Sequence, residues 1–366
     1  MGKRLGSVDS ARRHLLPGDR RLLGAGALLT GATGVTHYVH AGRIVPFVVA
    51  GIGLGVLAAI VGRSVDRLGD RLGSGTTGVV QSALGNLPEL FVGIFALRAG
   101  LVGVVQAALV GSILANVLLV LGAAFIVGGL RHGTQRFTAE AARTPVLLLV
   151  LAVSIVIVPT LSSHLGIAVA HHEHALSNVA AVILLIVFVL SIPASLKPGT
   201  VAPADPEAAG GGPRWPLALV LWALLGSSVA AAFVSDWFVA ALTPALSALH
   251  VSQAFAGLVI VAIAGNAVEN VVGIKLAAQD RADYAMSVIL QSPVQIALGL
   301  IPVLVLLSNV LGGATLTLVM PVMLVASLAI AVVVTVVVVF DGESTWLEGV
   351  TLLGLYAAIA TAFWWG

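Results

Sequence analysis

The sequence predicts an all-α polytopic membrane protein of about 11 transmembrane helices, built as one extra N-terminal helix plus two inverted five-helix repeats. Three observations predict it: a composition too apolar for a water-facing surface, a series of long apolar segments, and a polar motif repeated at a fixed offset. Hydrophobic residues make up 59% of the 366 and charged residues only 9%, against about 25% charged in soluble domains. Disorder and an ordinary globular domain are thereby excluded. The apolar stretches are unbroken rather than alternating, which excludes a membrane β-barrel. There are no cysteines, so disulfides, thiolate metal sites and cysteine nucleophiles are absent. The net charge of +2 points to no nucleic-acid partner.

Apolar segments run at approximately 22–38, 44–62, 74–97, 101–129, 145–163, 176–194, 216–235, 252–278, 284–309, 314–340 and 346–364. The first is the weakest. It is glycine-rich and follows a basic head with Lys3, Arg4, Arg12, Arg13, Arg20 and Arg21. That head is long and no small-x-small cleavage site follows, which argues for a retained helix rather than a signal peptide. Placing the N-terminus in the cytoplasm puts all the basic residues inside except Arg43 and Arg98, as the positive-inside rule requires. The C-terminus then falls outside. Four parts follow: residues 1–43, a basic cytoplasmic N-terminus with the extra helix; 44–195, the first five-helix repeat; 196–215, a flexible cytoplasmic linker; and 216–366, the second repeat. The linker carries Pro198-Gly199, Pro203, Pro206 and Gly210-Gly211-Gly212-Pro213, a composition that resists regular structure.

The repeat is read from Gly85-Asn86-Leu87-Pro88-Glu89 and Gly265-Asn266-Ala267-Val268-Glu269, which align without gaps at an offset of 180 residues. Equivalent helices are an odd number of spans apart, so the second copy enters the membrane upside down. Inverted repeats with broken polar helices at the midplane are a transporter architecture. Glu89 and Glu269 are the acids this layout places deep within spans. A charge at the bilayer centre costs at least about 2.5–3.5 kcal/mol, so an acid placed twice at matched positions needs a reason.

Asn86 and Asn266 each stand three residues before their Glu, one helical turn away on the same face. Gly85 and Gly265 permit close helix approach or an irregular backbone. Pro88 removes a hydrogen bond to the Leu84 carbonyl. The second motif has Val268 there, but Pro293 in the neighbouring span would free the Ile289 carbonyl. Each half is therefore expected to break a helix near the site, on a different arm. The neighbouring spans add Gln106, Ser112 and Asn116 in one half and Gln291, Ser292 and Gln295 in the other. Such residues either line a pathway or bond helix to helix. Oxygen ligands, two carboxylates and no cysteine describe a hard-cation site, with calcium favoured over magnesium by its adaptable geometry and zinc disfavoured by the lack of nearby histidine. His164, His171, His172 and His174 cluster beside Glu173 in an outside loop, where a solvated loop competes with a metal or pH-sensing role.

At these residues the chain resembles the calcium/cation antiporter superfamily, specifically its calcium/proton exchanger branch. The stretch 85–90, then Val105-Gln106-Ala107, then Gly111-Ser112-Ile113-Leu114-Ala115-Asn116 is similar to that branch's first signature. Residues 265–269 and Val294-Gln295-Ile296-Ala297-Leu298 are similar to its second. The resemblance implies that Glu89 and Glu269 bind the cation, aided by Asn86, Asn266 and nearby carbonyls, and that Ser112, Asn116, Ser292 and Gln295 line the pathway. It implies exchange of Ca2+ or another divalent cation for H+, no bound cofactor and no enzymatic activity, with the lipid bilayer and the transported ions as partners; a prokaryotic inner membrane is the expected setting. The chain departs from the branch at Asn270, where His is usual, at Gln291-Ser292-Pro293, where Gly-Ser-Ser is usual, and at Pro88, which is more like the sodium/calcium exchangers. A sodium-coupled calcium exchanger and a passive cation channel are the competing readings. An intramembrane hydrolase is disfavoured, since no HExxH and no Ser/His pair lies within the spans.

Overall fold

The computed structural model describes residues 16–39, 41–72, 84–165, 172–195 and 215–365. The first fifteen residues of the basic head, most of the predicted linker and His171 lie outside the described residues, as do residues 73–83 of the third predicted span. The described chain is nearly all helix. Its strands are two-residue pieces, Gln135–Arg136 and Glu343–Ser344, paired antiparallel. Among the described residues, eight helices are long and apolar enough to cross a membrane. A ninth span forms if Gln253–Gly265 and Asn270–Ala277, bent by 66° at a short break, count as one. The helix Pro17–Tyr38 is long enough but too polar, and Leu87–Arg98, at 12 residues, is too short.

Two compact units divide the contacts, each drawing on both halves of the sequence. One comprises Met1–Val92 and Pro203–Ala248, the other Gly93–Ala202 and Leu249–Gly366. In the first, Pro17–Tyr38 packs on Val45–Leu72 through a face that repeats every seventh residue: Asp19, Gly26 and Thr33 are its buried positions. That spacing is two helical turns, so the three stack in one stripe. Gly26 lies against Leu57 and Ile60, and Gly53 receives Thr33 and Val234. Asp19 is fully buried. Its carboxylate pairs with Arg63 Nε at 3.0 Å and accepts a hydrogen bond from Trp215 Nε1 at 3.0 Å. In the sequence Asp19 stands just before the weak first segment, 22–38. The fold makes it the polar end of a packed face.

In the second unit, the spans Val102–His132 and Ala282–Ser308 are its most buried helices. Each changes from α to π winding at matched positions, Ala115–Val120 and Ile296–Leu300, a local widening often found at functional sites. A third π segment, Ala256–Val261, crosses Val102–Leu114 at backbone contact. A methyl on Gly111 would meet the Leu258 backbone, and one on Gly257 would meet Val104 O.

The predicted span 314–340 is corrected. Helix covers only Val322–Val339, and 314–321 is non-helical yet carries buried Leu316, Leu318 and Met320. A buried backbone without a ladder needs other partners, and neighbouring helices supply them. Thr160 Oγ1 donates to Leu318 O (2.9 Å) and accepts from Met320 N (3.0 Å). Leu318 N donates to Ser177 Oγ (3.0 Å) and Leu316 N to Ser308 Oγ (2.9 Å). Gln106 Nε2 donates to Thr317 O (3.1 Å) and Val319 O (2.8 Å). An unbroken apolar run hides this, because hydropathy does not register which backbone groups are paired.

Candidate functional site

Both motifs open a new helix. Gly85 and Asn86 form a turn and the helix Leu87–Arg98 starts behind them, with Leu90 N donating to Asn86 O at 3.0 Å. In the second motif the helix Ala262–Gly265 ends at Asn266 (φ −96°, ψ 14°) and Ala267–Ala277 begins, with Asn270 N donating to Asn266 O at 3.1 Å. In both, Asn precedes the first helical turn and Glu is the third helical residue. A carboxylate there sits at the positive end of the helix dipole. Pro88 is the second residue of its helix, where proline is tolerated because that N–H has no partner within the helix. The expectation of breaks on different arms is corrected: both lie in the motif helices at the same Gly-Asn pair. Pro293 stays within the helix Ala282–Gln295.

Asn86 and Pro88 are buried, and Glu89 is half-buried with Oε2 shielded from solvent. Asn266 is almost completely buried. Its side chain makes no cap bond to its own helix, although Asn with Glu three residues on is a pattern that ordinarily caps. Instead Nδ2 donates to Ala262 O at 3.0 Å, while Oδ1 accepts from Ser292 Oγ at 3.4 Å and from Asn116 Nδ2 at 3.5 Å. Asn116 Nδ2 also donates to Ser112 O at 2.9 Å. The fold thus brings Asn266, Ser292, Asn116 and Ser112 into one buried polar cluster, joining the helix break, a π segment and the helix Ala282–Gln295. Gln295 is buried and Gly265 ends the helix before the break. The Gln106 amide nitrogen is committed to the non-helical segment. Glu269 stands on the helix Ala267–Ala277; its side chain lies outside the described ones.

Two buried oxygens around this cluster, Asn116 Oδ1 and Asn270 Oδ1, have no hydrogen-bond partner. An unmet buried acceptor costs about 1–3 kcal/mol, so such oxygens are suited to a cation or its water. The set is all oxygen and amide, the donor chemistry of a hard cation rather than of zinc. The expected histidine loop is corrected at its edges: Ser163 and His164 end the helix Ala139–His164, and Glu173 and His174 begin the helix Glu173–Ser195. His164 Nδ1 lies 2.9 Å from Thr160 O and Ser163 Oγ donates to Glu173 Oε1 at 2.6 Å, while His172 and His174 are exposed. Among the described residues no three His, Asp or Glu side chains gather as a metal site.

Broken helices, a buried oxygen-rich cluster and many apolar spans define an integral membrane protein of the transporter class. The chain belongs to the sodium/calcium exchanger protein family, whose model matches residues 43–201 and 218–365. It is 33% identical over 349 residues to a Ca(2+)/H(+) antiporter of Synechocystis sp. (strain ATCC 27184 / PCC 6803 / Kazusa), covering 89% of this chain and 92% of that protein. It is 30% identical over 351 residues to the Ca(2+)/H(+) antiporter ChaA of Bacillus subtilis (strain 168), covering 93% and 97%. The solved structure of native YfkE superposes with a TM-score of 0.79 at 29% identity, covering 94% of this chain and 99% of that one.

Proposed function

We infer that the chain is a secondary active antiporter that exchanges Ca2+ for H+ by alternating access. Relatives that carry that name match nearly its whole length. The structural observation that carries the reading is the pair of Asn-x-x-Glu helix starts, each opening at a Gly-Asn break and each placing its acid in the first turn. In this reading Glu89 and Glu269 bind the cation or protons in turn, with Asn86 and Asn266 as further oxygen ligands. Ser112, Asn116, Asn270, Ser292 and Gln295 line the path or set its selectivity, Gly85, Gly265 and Pro88 shape the breaks, and Gln106 holds a wall of the path.

The mechanism follows from charge. Two carboxylates are neutralised by one divalent cation or by protons. Both loaded forms are tolerable away from water, whereas the empty form combines desolvation with mutual repulsion. Conversion between inward- and outward-open states then proceeds only when the site is filled, which gives exchange rather than leak. No bound cofactor is needed, since Ca2+ and H+ are cargo. The finer architecture is part of the same proposal: eleven spans, two inverted repeats after the extra helix, the N-terminus cytoplasmic, the C-terminus outside and a prokaryotic inner membrane as the setting. The matched turns support the repeat. Gly100 (φ 78°) and Asp280 (φ 58°) are 180 residues apart and follow the two motif helices. Leu101 N donates to Ala96 O at 2.8 Å, and Arg281 N to Leu276 O at 3.1 Å.

Vesicles containing purified protein test the function. An imposed pH gradient should drive Ca2+ uptake, and a sodium gradient at fixed pH should not. Sodium-driven uptake would replace the coupling ion. Current with no counter-gradient would make the protein a channel.

A further inference from the structure

Each motif helix is held at its far end by a loop from the other half of the sequence. Ala314 N donates to Leu97 O at 3.1 Å, and Gly313 (φ 117°) lies against the Arg98 backbone. The equivalent carbonyl, Ala277 O, receives a side chain instead: Gln135 Nε2 donates to Ala277 O at 3.0 Å and to Asp280 Oδ1 at 2.8 Å. Gln135 is 3% exposed. Its amide oxygen fills the space that a side chain on Gly128 would occupy, so Gly128 makes room for it. The same loop bonds the turn on either side. His132 Nε2 lies 3.0 Å from Ala278 O, and Thr138 donates to Asp283 Oδ1 through N (2.6 Å) and Oγ1 (3.0 Å).

The amide answers an electrostatic conflict. Ala277 ends its helix and Asp280 follows, so a carboxylate stands at the negative end of the helix dipole. One Gln135 nitrogen donates to both acceptors and joins them. The helix Ala267–Ala277 is thereby held at one end by Asn116 and Ser292 through Asn266, and at the other by Gln135. A short helix fixed at both ends cannot rotate or slide, and Glu269 rides on it.

We propose that Gln135 is a positioning residue for cation binding: by clamping the C-terminal end of the helix that carries Glu269, it sets the register in which that acid meets the ion. This rests on the antiporter reading. A groove-filling role would change stability alone, whereas a positioning role changes affinity. In vesicles with the full-length protein and Ca2+ as the probe, Gln135→Ala should raise the half-saturating Ca2+ concentration about fivefold, as loss of one or two ordinary hydrogen bonds allows, with the maximal rate within about twofold. Gly128→Ala should displace the amide and give the same affinity change. The double variant should be no worse than Gln135→Ala, because both changes remove one contact. Unchanged half-saturation in Gln135→Ala, or additive losses in the double variant, would overturn the proposal. Hydrogen exchange at the Asp280 and Arg281 amides reports on the clamp without transport and should speed up in both single variants. Unchanged exchange would also overturn it. Wild-type protein that carries no Ca2+ while these amides respond would count against the antiporter reading instead.

Discussion

The helices Leu87–Arg98 and Ala267–Ala277 start alike and end differently. Both follow a Gly-Asn break and both carry Glu as their third residue, but only the first has proline in its first turn. The common break with and without proline shows that Pro88 is compatible with it rather than its cause. What accompanies the second break is tertiary: the Asn266 side chain is engaged by Ala262, Ser292 and Asn116 instead of capping its own helix. At the far ends, a main-chain N–H holds Leu97 while a side chain holds Ala277. Main-chain clamps survive substitution. Side-chain clamps do not, so the second helix is the more easily detuned.

The largest test of this comparison removes one acid at a time. Glu89→Gln and Glu269→Gln should each slow pH-driven Ca2+ uptake by about a hundredfold or more, since removing one partner of a buried charged set costs about 3–5 kcal/mol. Near-normal uptake in either variant would end the equivalence of the two motifs. Next is Gly111→Ala. A methyl there would meet the Leu258 backbone, and such overpacking costs about 1–3 kcal/mol; thermal unfolding in detergent should show a clear fall in Tm, whereas Gly103→Ala, with open space at its Cβ, should not. A smaller effect is expected of Asn116→Leu, which removes the two hydrogen bonds donated by Nδ2 and the unpaired Oδ1. Half-saturating Ca2+ should rise about tenfold if that oxygen serves the ion, and remain unchanged if the residue only ties helices together. The smallest is the exchange of the one residue that differs most. Pro88→Val and Val268→Pro should both keep transport within about threefold, because the second helical position has no N–H bond to lose. A collapse in Pro88→Val would show that proline enforces the first break.

Much of the fold was legible in the chain. Ten of the eleven apolar segments coincide with helices over most of their described length; the eleventh, 314–340, is helical only from Val322. Its first part was misread because a hydropathy window sees Leu316, Leu318 and Met320 but not that Thr160, Ser177, Ser308 and Gln106 pair with their backbone. The acids and asparagines stand out as candidates because polar residues are costly in lipid and these recur at a fixed offset. Asp19 and Gln135 do not. One lies at a span edge and the other in a loop, where a polar residue costs nothing until packing buries it.

By itself the sequence determined the class of protein, where most of its apolar helices run and which acids stand out for a role in them, because apolar length and the expense of a buried acid are properties of the chain alone. The tertiary structure decided where the motif helices break, which amides turn from capping to cluster, and which loop holds the end of each helix, because these depend on groups more than a hundred residues apart that meet only when the chain is folded.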